Sequence, residues 1–95
     1  MEERNTYKKM MGEQLNRWKN KLNALKTKVE DLKGDTKSDY SREMEALSRK
    51  VMGAEAQLKK LSEADDNKWN ACKTSAEKMM SEVKRSLDKL GQKLA

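Results

Sequence analysis

The chain is predicted to be all-α, a long antiparallel helical hairpin of coiled-coil type that pairs with a second copy of itself. Three observations predict this. Ala, Glu, Lys, Leu and Arg make up about half of the 95 residues, and there is no proline or phenylalanine, a profile typical of long helices. Apolar residues recur in steps of three and four that average about 3.6, the α-helical repeat. The stripe meets one strongly polar interruption, Ser62 to Asn67. Charged residues are 40% and hydrophobic ones 35%, which on composition alone lies near the disordered class; the periodicity argues for order.

The first helix is expected over about 3–62. Its stripe runs Tyr7, Met11, Leu15, Trp18, Leu22, Leu25, Val29, Leu32, Thr36, Tyr40, Met44, Leu47, Val51, Ala54, Leu58, Leu61. Gly34 is a weak break at 34–36, with Gly34 placed as a C′ residue and Asp35 or Thr36 as an N-cap. A lone glycine costs only about 1 kcal/mol inside a helix, so the helix is read through it. A real break there would give the alternative, a three-helix bundle. The turn is expected at 63–66, where Asp65 or Asp66 caps a second helix over about 67–94. All of this forms one domain, 1–95.

A turn at 63–66 pairs Trp69 with Leu61, Cys72 with Leu58, Ala76 with Gly53 and Ala54, Met80 with Val51, Val83 with Leu47, Leu87 with Met44 and Leu90 with Tyr40. Each buried Leu, Val or Met contributes about 1.5–3 kcal/mol before entropy is subtracted. Met11 and Met80 fall in the core, with Met10 and Met79 at its edge. Cys72, the single cysteine, lies on the stripe as a buried, inert thiol. In this scheme residues 7–32 have no partner within the chain. Met11, Leu15, Trp18, Leu22, Leu25, Val29 and Leu32 then form a dimer seam, and the narrowness of its middle, with Trp18, Leu22, Leu25 and Val29 within roughly 60° on a helical wheel, suits a two-partner contact.

Charge points the same way. The net charge is +6, most of it in residues 1–33, and Arg17, Lys19, Lys21, Lys26 and Lys28 form a basic margin along the seam with no acid between Gln14 and Lys28. Asp31, Asp35, Asp39 and Glu43 form an acidic ladder at i, i+4 spacing, mildly destabilising on an isolated helix. An antiparallel dimer with its two-fold near residues 29–30 sets that ladder against the partner's basic margin.

Tyr7, Met11, Gln14, Leu15, Trp18, Leu22, Leu25 and Lys28 resemble the opening Y-x3-[LM]-x2-QL-x2-W-x3-[IL]-x2-L-x2-K of a family of short bacterial coiled-coil proteins, some of them described as general stress-response proteins. Tyr40, Met44, Leu47, Leu58, Leu61 and the stretch from Asp66 to Trp69 continue the likeness. It implies a soluble, non-enzymatic helical protein. The chain departs at Met80, where members often carry a second tryptophan, and at Gly34, where they are alanine-rich.

No enzyme is expected. Histidine is absent, and the sequence has no glycine-rich phosphate loop and no metal-ligand spacing, so no catalytic, cofactor or metal residues are assigned. One cysteine precludes an internal disulfide and fits a reducing cytoplasm, where the protein is expected. The opening MEERNTYKKMM lacks an apolar h-region, so no secretory signal is expected. The lead function is a structural or interaction protein, stress-related as the resemblance implies. The alternative is an amphipathic protein of an anionic membrane surface, apolipoprotein-like, whose lysines snorkel beside Trp18 and, as Lys68, Lys73, Lys84 and Lys93, beside Trp69. Nucleic acid is disfavoured, since acids interleave with bases beyond residue 28 and no aromatic platform is visible.

Overall fold

The computed structural model describes residues 2–94 as three α-helices, α1 (Glu2–Glu30), α2 (Gly34–Glu63) and α3 (Trp69–Leu94). The all-α expectation is met. The helix expected over 3–62 is instead two, and the break falls at residues 31–33. There the last turn of α1 tightens, with Asp31 N–H donating to Lys28 C=O and Leu32 N–H to Val29 C=O. Lys33 is extended and Gly34 takes φ +66°. That left-handed region costs an L-residue roughly 1–2 kcal/mol and glycine almost nothing, so Gly34 makes the reversal easy. It opens α2 instead of closing α1, and neither Asp35 nor Thr36 caps: the cap position is Lys33, without a side-chain hydrogen bond.

The second turn lies near its expected place. Asp65 is the cap: its carboxylate accepts from Lys68 N–H at 3.0 Å and its carbonyl from Trp69 N–H at 2.9 Å. Because the turn spans 64–68, α2 and α3 pair antiparallel in a register displaced from the expected one. Gly53 faces Met79, a methyl added there lying 2.6 Å from Met79 Cε; Lys50 Nζ meets Ser86 Oγ at 2.8 Å and Glu43 meets Lys93 at 2.8 Å.

Helix α1 folds back antiparallel to α2, with Lys8 near Ser62 and Lys19 near Glu55, and so runs parallel to α3, with Arg4 at Asp66 and Lys21 at Asp88. Met44, Leu47, Val51, Ala54, Met80, Val83, Leu87 and Leu90 join Leu15, Leu22, Leu25 and Val29 of α1 in one core. Residues 7–32 therefore have intrachain partners, contrary to the expected open seam. Leu61 and Ala76 are also buried, while Tyr40, Leu58, Trp69 and Cys72 are only half-buried. Cys72 is a free thiol reachable from solvent, so its expected full burial is corrected.

Candidate interaction surface

With the stripes of three helices turned inward, the outer surface is charged, and its pattern follows from how α1 lies in the groove between α2 and α3. The core face of α1 is narrow because the two margins beside it are occupied by lysines that reach across to the neighbours. Lys19 reaches Glu55 of α2 at 3.2 Å and Lys21 reaches Asp88 of α3 at 3.7 Å. All four side chains are substantially exposed, so each pair contributes at most about 1 kcal/mol. Their value is positional, one latch on each side of α1. The remaining basic residues face water: Arg17 donates only to Gln14 on its own helix, and among the described residues Lys26 and Lys28 have no acidic partner.

The acidic ladder is not continuous on one helix. Asp31 stands in the α1–α2 turn, Asp35 and Asp39 on the exposed start of α2, and Glu43 is taken by Lys93. That hydrogen bond holds the Lys93 ammonium above its ordinary range. Of the expected seam, Leu15, Leu22, Leu25 and Val29 are buried within the chain and Met11, Trp18 and Leu32 are half-buried. Trp18 packs against the core edge together with Met11 and Met79.

A second cluster joins the start of α1 to the start of α3. Tyr7 and Trp69 meet edge to face, centroids 6.0 Å apart. Arg4 lies over the Trp69 ring at 4.9 Å while also bridging Asp66 at 2.6 Å, and Lys73 lies over the Tyr7 ring at 4.9 Å. Such cation–aromatic contacts are worth about 0.5–1 kcal/mol each at exposed sites. The Tyr7 hydroxyl is enclosed with no hydrogen-bond partner. Burial first, and then the nearby Glu77 carboxylate, push its phenol up to about 12. Periodicity places Tyr7 on the stripe and Trp69 against Leu61. Only the parallel α1–α3 register brings the two rings together, and Arg4 carries no periodic signal that would single it out.

Comparison with protein-family models, curated proteins and solved structures returned no significant match. Chemistry must therefore be judged on the residues. Among the described residues no three His, Cys, Asp or Glu side chains gather as metal ligands, and no helix is long and apolar enough to cross a membrane. A surface depression of about 430 Å³ lies between the end of α1 and the start of α2, floored by Val29 and Met44 and rimmed by Lys26, Lys37, Glu30, Glu45 and Arg49. Its rim carries both signs of charge and two serines, Ser41 and Ser48.

Proposed function

We propose that the chain is a non-enzymatic structural or interaction protein of the cytoplasm, working through its charged exterior and through self-association, in the stress-related role that its sequence resemblance implies. The observation that carries this reading is the burial of Leu15, Leu22, Leu25 and Val29 in a core shared with α2 and α3. With those side chains committed to protein packing, recognition falls to the outer charges, and a second copy could pair only by exchanging with this chain the contacts that α1 makes within it.

The membrane-surface reading keeps one supporting feature. Arg17, Lys21 and Lys28 follow one edge of α1, and Lys84 stands on α3 one turn before Asp88, as Arg17 stands one turn before Lys21, whose ammonium reaches that aspartate. This row would be drawn to anionic lipid at about 1 kcal/mol per cation close to the surface.

Co-sedimentation with anionic vesicles at low and high salt, read together with tryptophan emission of a Trp69→Phe chain, separates the two. In the interaction reading binding is absent, or salt-sensitive with Trp18 emission unchanged, because α1 stays seated. A marked blue shift of Trp18 on vesicles would mean that the stripe has entered lipid, and would reverse the choice. Light scattering across a concentration series tests self-association directly; one chain per particle at every concentration would remove it.

A further inference from the structure

The α1–α2 junction is built so that it can straighten. Leu25, Val29 and Leu32 continue into Thr36, Tyr40 and Met44 without loss of helical phase. Were residues 31–34 helical, α1 and α2 would be one helix with every core side chain on one face. Within the junction itself only backbone conformation stands against this: Lys33 is extended, Gly34 has φ +66°, residues 33–39 are all exposed, and no side chain caps α2. An added methyl on Gly34 would meet no atom within 4 Å. Meanwhile every contact that seats α1, from Leu15 to Val29 in the core and from Lys19 and Lys21 to Glu55 and Asp88 at the margins, could be supplied equally by another copy.

We propose that α1 is an exchangeable arm: when Gly34 leaves the left-handed region, α1 and α2 join into one helix, and two chains swap arms, each α1 lying on the α2–α3 pair of the other. This deepens the self-association reading and rests on it. The antiparallel packing of α1 on α2 is retained, now between chains, with the two-fold passing the long helices midway between Lys19 and Glu55, beside Lys37. A short connection between exchangeable elements is the setting in which swapping is easy. The intrachain arm competes at an effective concentration on the order of millimolar, so the closed monomer prevails in dilute solution.

Gly34→Ala tests the proposal. Alanine is penalised about fivefold or more in the left-handed region and favoured about fivefold over glycine inside a helix. With two chains per dimer, these factors raise the association constant on the order of several hundredfold. Light scattering should show Gly34→Ala dimerising at micromolar concentration. Small-angle scattering should show the longest dimension growing from the 51 Å of the closed form to about 90 Å, the length of some 60 helical residues. Gly34→Asn, which tolerates the left-handed region, should remain far more monomeric. A Gly-Ser-Gly insertion after Lys33 in the Gly34→Ala chain should restore the monomer. A Gly34→Ala dimer no longer than the closed form would overturn arm exchange while leaving self-association intact. A Gly34→Ala chain that is folded by circular dichroism yet monomeric up to millimolar concentration would overturn both.

Discussion

Replacing Leu25 by alanine asks directly where α1 finds its burial. Leu25 is 5% exposed and belongs to the shared core. Truncating a buried leucine costs about 2–5 kcal/mol, the lost transfer energy plus the residual cavity; α1 can settle partly into its groove, which argues for about 3. A domain of this length has a total stability of roughly 5–14 kcal/mol, so the variant should still fold, with its melting temperature lowered by roughly 12–24 °C at about 4–8 °C per kcal/mol. Guanidinium unfolding followed by far-ultraviolet circular dichroism measures the change, with exposed Lys28→Ala as a control expected within about 0.5 kcal/mol. Because the burial lies within one chain, wild type and Leu25→Ala should each keep the same midpoint from low micromolar to about 100 µM, well below the millimolar effective concentration of the tethered arm. A cost below about 1 kcal/mol, or a wild-type midpoint that climbs with concentration over that range, would refute intrachain seating of α1.

Three further outcomes check other parts of the molecule. In a Tyr40→Phe chain, where Tyr7 is the remaining phenol, phenolate absorbance should appear near 12. Since that value lies above the unfolded one, the stability contribution of neutral Tyr7 is intact below pH 10 and is lost as pH rises through about 12; a midpoint near 10 would mean the ring is not enclosed. Gly12→Ala, at a helical site with nothing within 4 Å of the new methyl, should gain about 1 kcal/mol in thermal unfolding, and a loss would show that α1 is not regular there. Asp65→Ala should lose about 1 kcal/mol by removing the cap on Lys68 N–H, whereas Asp65→Asn should lose little; equal losses would mean that the cap is not formed.

Much of the fold is legible because helical periodicity reports which face of a residue run is apolar. Met80, Val83, Leu87 and Leu90 fall in the core on that ground, and a cap at Asp65 or Asp66 is recognisable from the position of the pair before Trp69, although only the hydrogen bond from Lys68 N–H to the carboxylate selects Asp65. The same periodicity is silent about which partner covers the face. Leu15, Leu22, Leu25 and Val29 read identically whether they meet α2 and α3 of their own chain or a second chain. A glycine worth about 1 kcal/mol is too weak a mark to separate the two, and only its φ of +66° shows that the chain uses it to turn. The latches are invisible for a related reason: Lys19 finds Glu55 and Lys21 finds Asp88 only once α1 has folded back, since no local window contains either pair.

That ambiguity is a physical property of the chain as well as of its reading. One apolar stripe can be satisfied by its own α2–α3 pair, by a neighbour's, or by lipid, and the burial that each offers is similar in kind. What selects among them is concentration and backbone preference. The tether presents the arm at an effective concentration on the order of millimolar, which a free copy must exceed, and the left-handed Gly34 sets the cost of keeping the tether bent. If α1 exchanges as proposed, removing that ease by one methyl group should move the crossover from millimolar to micromolar on the arithmetic of two preferences counted over two chains. A residue with no side chain, facing water and touching nothing, would thus control whether the protein stands alone or in pairs. The latches Lys19–Glu55 and Lys21–Asp88 do not bias that choice, because they form equally well within a chain or between two, whereas the net charge of +6 on each chain opposes pairing.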